Sequence, residues 1–269
     1  MFKTIRGLSL ALALGMTAIC GTAHAADDSL EKIRERGEIL IGVDTGQAPF
    51  GIVDSSMQPT GSDVEAARLL AQDLGVKLKI VPVTPANRIP ILSTRKVNAV
   101  MASFSITEER KRVVNFSEPY SMIQAAVFAP ADMKVERIED LANKAIAVAR
   151  GSTNDILITE QTKNVPGVSI MRYDDNATSL TAVATGQQEV YVAAPSLMAE
   201  LNKLKPVKTL EEKLVLKTFP IGVGLNKNDE ALKVWIDQWV KTNMANGRLN
   251  DIYKKFHGAS LPDEWLAQK

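Results

Sequence analysis

Ile39-Leu40-Ile41-Gly42-Val43, followed by Val64–Leu74, Gly75 and Val76–Val83, is the stretch that decides the fold. The short unbroken apolar run reads as a buried strand. In the next segment the apolar positions 66, 67, 69, 70, 71 and 74 fall at helical spacing and stop at a glycine, which is how an amphipathic helix ends. Val76–Val83 then alternates apolar residues with Lys and Pro, the pattern of a half-buried strand. A short helix over about Asn87–Thr94 and a strand at Val97–Met101 complete a βαβαβ rhythm, which predicts an α/β fold on a parallel sheet.

A second set follows. Strands are predicted at Ile123–Ala129, Ala145–Ala149, Val168–Arg172 and Val190–Ala193, and helices at Thr153–Asn164, Asn176–Thr185 and Pro195–Leu204. After Lys217 come a strand at Phe219–Leu225 and two amphipathic helices. The first carries Leu232, Trp235, Ile236, Trp239 and Val240, the second Leu249, Ile252, Tyr253 and Phe256. With no long linker or repeat, the expected shape is two similar α/β units and a C-terminal return.

The N-terminus reads as a signal peptide over 1–25. Lys3 and Arg6 precede the apolar run Leu8–Ile19, and Ala23-His24-Ala25 gives the small-x-small pattern of a cleavage site. The run is shorter than the roughly 20 residues a spanning helix needs, which weighs against the alternative of a membrane anchor. Cys20 follows Ile19 rather than a small residue, so no lipobox is present. Cleavage near Ala25 would release a soluble chain into the periplasm, without stable membrane insertion.

That cleavage removes the sole cysteine and one of two histidines. Lys plus Arg number 32 against 31 for Asp plus Glu, a balance that points to no nucleic acid and no anionic membrane. Catalytic equipment is thin. His257 alone supplies neither a zinc cluster nor a Cys-His pair, a Ser-His-Asp triad would have to use it, and it is expected to be a surface or capping residue. Gly222-Val223-Gly224 is half of a dinucleotide fingerprint, and there is no P-loop. No metal, no other cofactor and no enzyme activity are therefore expected.

What remains is polar chemistry at predicted strand ends, where α/β sheets place ligands. Ser103-Phe104-Ser105-Ile106-Thr107-Glu108-Glu109-Arg110 follows a strand and opens a short helix whose free N–H groups suit an anion. Arg110, one turn on, can add a bidentate grip on a carboxylate. Gly151-Ser152-Thr153-Asn154 repeats the arrangement in the second unit. The competing reading makes Ser105 or Thr107 a helix cap and Glu108–Arg112 a solvated charged face.

The ordered set of short motifs resembles the polar-amino-acid solute-binding proteins of ABC importers, the bacterial extracellular solute-binding protein family 3. It comprises Ile41-Gly42-Val43-Asp44 with Ala48-Pro49-Phe50, Gly61-Ser62-Asp63-Val64-Glu65, Arg88-Ile89-Pro90, Lys96-Val97-Asn98-Ala99 and Ser105–Arg110. It continues through Val114-Asn115-Phe116-Ser117-Glu118-Pro119-Tyr120, Glu139-Asp140-Leu141, Gly151-Ser152-Thr153 and Gly222-Val223-Gly224-Leu225. The resemblance implies a two-lobed type II periplasmic binding protein with parallel and mixed sheets. Two hinge segments would join lobe 1, residues 26–121 and 221–269, to lobe 2, residues 122–220. It further implies a small polar carboxylate ligand held in the cleft, ABC importer permease subunits as partners, and a monomer. Arg110 and Ser105 would take the ligand carboxylate, with Ser152 and Thr153 adding groups from lobe 2. Ser103 would help with an ammonium, and Asp44 would read the far end.

The departures bear on specificity. The resemblance places an ammonium-binding aspartate where this chain has Ala194, and aromatic residues where it has Gln47 and Ser62. Either Asp44, Asp174 or Asp175 replaces the missing acid, or the ligand has a modified or absent α-amino group, or hydroxyls such as Ser103 and Ser196 hold the ammonium with water. Arg88 either contacts the ligand or forms a salt bridge to Asp44 across the cleft. Two other classes share the resemblance. A ligand-loaded sensor for a membrane receptor would read the same. A cyclohexadienyl-dehydratase-like enzyme would need an acid that Ala194-Pro195-Ser196-Leu197 does not offer.

Overall fold

The computed structural model describes residues 29–266, so the predicted signal peptide and its cleavage site lie outside the described residues. The first half opens with α1 (Ser29–Arg36), β1 (Glu38–Val43), a small hairpin β2 (Ile52–Val53) and β3 (Pro59–Thr60), and α2 (Ser62–Leu74). It continues with β4 (Lys77–Pro82), α3 (Arg88–Ser93), β5 (Ala99–Val100) and α4 (Glu108–Lys111). β1 pairs parallel with β4 on one side and β5 on the other, as the βαβαβ pattern requires. Its side chains alternate: Ile39, Ile41 and Val43 enter a core formed with α2, while Leu40 packs against a second core on the opposite face.

A long strand β6 (Asn115–Pro130) then leads, past a 3₁₀ turn at Ile138–Leu141, into β7 (Ala145–Ala149), α5 (Thr153–Thr162), β8 (Ser169–Tyr173), α6 (Asn176–Ala184), β9 (Val190–Ala193) and α7 (Leu197–Lys203). β7 pairs parallel with both β8 and β9. This half repeats the sandwich of the first, with Ala126, Phe128 and Tyr191 in one core and Val127, Val190 and Val192 in the other. The chain returns along β10 (Leu210–Leu225) and closes with α8 (Glu230–Ala245), α9 (Arg248–His257) and α10 (Asp263–Leu266). Leu232, Ile236, Trp239, Val240 and Leu249 all join the core of the first half.

All the longer strands form one sheet in the order β4-β1-β5-β10-β6-β9-β7-β8. Its centre is the antiparallel pair β6 and β10, in register from Asn115 opposite Leu225 to Pro130 opposite Leu210, with four register shifts. β10 meets β5 at Gly224 and Leu225, and β6 meets β9 at Ala126–Phe128. Between those ends, around Ile123–Ala125 and Lys217–Phe219, the two strands pair only with each other, while Ile221 also bridges to Ser105. Each half has its own cores, apart from Ala48 and Ile52 of the first half, which pack into a core of the second, and two crossing strands tie the halves together.

Both crossing strands are longer than the sequence predicts. β6 starts at Asn115 rather than Ile123, because Pro119 inside a run argues against a strand yet is tolerated where a ladder bond is missing. β10 starts at Leu210 rather than Phe219. Glu211, Glu212, Lys217 and Thr218 are exposed, so that segment lacks the apolar signature of a core strand.

Candidate functional site

The ends of β1, β5 and β7 converge between the two halves, and the residues singled out above gather there. Ser103 and Ser105 follow β5, Arg88 opens α3, Arg110 sits in α4, and Ser152 and Thr153 open α5. Asp44 follows β1. Asp44, Arg88, Ser103, Ser105, Arg110 and Ser152 are each less than 7% exposed, an unusual concentration of buried polarity. Arg88, Gln47, Ser103, Ser105, Gln124 and Asn154 are among the residues that line a small, partly open space between the halves, and Arg110 borders a neighbouring one with Phe104, Glu109 and Gly151.

Arg110 joins the halves. One nitrogen of its guanidinium, Nη1, donates to the Ser105 carbonyl at 3.0 Å and to the Thr153 hydroxyl at 3.2 Å, while Nη2 donates to the Gly151 carbonyl at 3.2 Å. Thr153 donates to the Ser105 hydroxyl at 2.8 Å. A further bond joins the halves where Ser196 donates to the Ala48 carbonyl at 2.8 Å. Gly151 permits the approach, since a Cβ there would stand 3.0 Å from the Ala86 Cα. Every acceptor around Arg110 is neutral. Burial, reinforced by the charge of Arg88, lowers its pKa to about 9, so it stays charged at neutral pH.

Thr107 caps α4, as the competing reading has it, by accepting the Arg110 N–H, and Ser152 caps α5 by accepting the Asp155 N–H. The Ser152 hydroxyl thus has a structural partner already. Ser105 is not a cap; its hydroxyl and carbonyl face Thr153 and Arg110.

Arg88 donates from Nη2 to the Asp44 carboxylate at 3.1 Å, both side chains being 4% exposed. The salt bridge exists, but both partners belong to the first half, so it does not span the cleft. Burial pushes the Asp44 pKa up against the pull of Arg88, and burial likewise lowers that of Arg88. The Nε of Arg88 and the Nε2 of Gln47 are buried without a partner.

Two contributors escaped the sequence reading. Phe104 lies beneath both arginines, with the guanidinium carbons of Arg88 and Arg110 5.8 Å and 5.0 Å from its ring centroid, a cation–π arrangement. Asp63 accepts from the Ser103 N–H at 2.6 Å and the Tyr120 hydroxyl at 2.7 Å, fixing Ser103 at φ 45°. Its burial raises its pKa to about 6, despite both hydrogen bonds. The available signal was its place on the apolar face that opens α2, where a charge needs a buried partner.

His257 is neither a surface residue nor a cap. It stacks on Tyr253 at 4.0 Å, meets Phe50 edge-on at 4.6 Å and lies 3.1 Å from the Ser62 hydroxyl. Burial lowers its pKa to about 4. Its aromatic neighbours lie one helical turn away and some two hundred residues away, and only the first was visible in the sequence. Among the described residues no cluster of three His, Cys, Asp or Glu could hold a metal, and no helix is long and apolar enough to cross a membrane.

Comparison with known proteins agrees with this geometry. The family model for bacterial extracellular solute-binding proteins, family 3, matches residues 39–259. The ABC transporter glutamine-binding protein GlnH of Bacillus subtilis is 30% identical over 85% of this chain and 84% of its own. A mutant of ArgBP from T. maritima superposes with a TM-score of 0.78 at 28% identity, over 86% of this chain and 99% of that one. An ancestral amino acid-binding protein, a precursor of cyclohexadienyl dehydratase, gives a TM-score of 0.75 at 31% identity, over 84% and 98%.

Proposed function

This chain belongs to the bacterial extracellular solute-binding proteins of family 3, and we propose that it is the periplasmic substrate-binding protein of an ABC importer. It takes an amino acid or amino-acid-like carboxylate between two lobes and delivers it to the permease. Lobe 1 comprises residues 26–121 and 221–269 and lobe 2 residues 122–220, with the crossings of β6 and β10 as hinges.

The observation that carries this reading is Arg110. A cation 4% exposed and surrounded by neutral acceptors from both halves is an expensive arrangement unless an anion completes it. A ligand carboxylate does so only where both halves are near, which makes affinity greater in the closed form and so drives closure. Hinge closure of periplasmic binding proteins is a general example of such switching. Asp44, Arg88, Ser103, Ser105, Ser152 and Thr153 form the rest of the site. The similarity to a dehydratase precursor keeps catalysis as the rival reading, and Ala194, a buried residue without a proton to give, weighs against it.

Thermal unfolding against amino acids and small carboxylates tests the binding reading. A ligand at a hundred times its Kd adds about 2.7 kcal/mol, and each kcal/mol raises the Tm of a chain this size by about 2–4 °C. Reduced uptake by cells lacking the chain tests delivery. Intact-mass measurement on a periplasmic extract, expected to find a lipid-free chain starting near Ala26, tests the signal peptide.

A further inference from the structure

Building on that binding reading, we propose that the ligand is a small dicarboxylate with no free α-ammonium group. The charges of the cleft carry the inference. Two buried arginines, Arg88 and Arg110, hold their guanidinium carbons 5.8 Å and 5.0 Å from the centroid of one Phe104 ring, so two cations stand close together in the cleft. An ammonium between them would need a carboxylate of the protein, and the buried acids nearby are committed, while Glu109 beside Arg110 is exposed.

Asp44 is neutralised by Arg88 and also accepts the Gly46 N–H; turning it to an ammonium would strip Arg88 of its salt-bridge partner. Asp63 is held by Ser103 and Tyr120. Asp175 caps α6, accepting the Thr178 N–H and hydroxyl. Asp174 points to solvent, 88% exposed and beside Arg150. Position 194 is an alanine, 2% exposed.

The unmet demand is for acceptors. Arg88 and Gln47 line the space between the halves, and Arg88 Nε and Gln47 Nε2 are buried donors without partners, while Arg110 has only neutral acceptors. A carboxylate at each end of the ligand answers all three.

Isothermal titration of the ligand-free mature chain with 2-oxoglutarate against glutamate, succinate against aspartate, and glutamine tests the class. The expected result is at least tenfold tighter binding of one dicarboxylate than of its amino counterpart. Equal affinities, or tighter binding of glutamate, aspartate or glutamine, would overturn the proposal and leave the binding reading standing. Failure of all five compounds overturns the proposal; failure of the whole thermal-shift panel as well removes the binding reading too. Gln47→Glu is nearly isosteric and puts an anion where a donor stands. It should weaken the dicarboxylate at least tenfold, and unchanged affinity would overturn the donor assignment on which the class rests.

Discussion

Thr153 donates its hydroxyl hydrogen to the Ser105 hydroxyl at 2.8 Å, and the two residues stand on opposite halves of the sheet. The same Thr153 oxygen accepts from Arg110. The hydroxyl–hydroxyl contact is worth about 1 kcal/mol net and the one from the charged guanidinium somewhat more, enough to favour closure but not to enforce it. Thr153→Val keeps the shape and removes both contacts. It should weaken ligand binding about fivefold to thirtyfold, the factor for 1–2 kcal/mol, with the melting temperature of the ligand-free chain almost unchanged. Titration calorimetry and a melting curve check the two halves of this expectation.

Gly224 sets the height of the floor. A Cβ there would meet the Phe104 ring at 2.5 Å, and Phe104 is 1% exposed with Phe116 edge-on at 4.8 Å, so the ring has nowhere to go. Gly224→Ala should cost about 1–3 kcal/mol in urea unfolding, as overpacking does. It should also reduce ligand affinity, because both arginines rest on that ring.

Asp63 titrates in an accessible window. Its folded-state pKa is raised from 3.8 to about 6, so between those values the folded chain holds a proton that the unfolded chain has lost. This residue therefore adds stability as pH falls from 7 to 4. Asp63→Asn cannot titrate. The stability difference should shift in favour of the wild type on acidification, as read by urea unfolding at pH 7 and pH 4.5. A difference that does not move contradicts a raised pKa.

His257 works in the opposite direction. Its folded-state pKa is lowered from 6.5 to about 4, so the unfolded chain binds the proton first. The stability it contributes is complete above pH 6.5 and is lost as pH falls towards 4. His257→Gln should gain on the wild type over that range in the same unfolding experiment.

Much of this was legible in the chain. The parallel trios came from apolar runs and helical spacing, because strands buried on both faces leave a strong local signal; Ala145–Ala149 and Val190–Ala193 fall where predicted. The crossing strands came out too short because Pro119 interrupts the start of β6 and exposed charge covers the first half of β10. Within the site, Arg110 and Ser105 announced themselves at a strand end. Asp63 and Phe104 did not, since a carboxylate supporting a loop from forty residues away, and a ring beneath two cations, are tertiary facts. Arg88 and Asp44 could be named as partners, and the expected lobe bounds put both on one half, although the pair was expected to cross the cleft.

The most direct measurement is the affinity of the best-binding carboxylate for the wild type, Arg110→Ala and Arg112→Ala, by titration calorimetry. Arg112, two residues on, is exposed. Truncating one partner of a buried charged pair costs about 2–5 kcal/mol, on the order of 30-fold to several thousand-fold in Kd. Such a loss for Arg110→Ala, with Arg112→Ala within twofold or so of the wild type, is the predicted result. Equal, small effects of the two substitutions would contradict it and return Arg110 to a merely structural role.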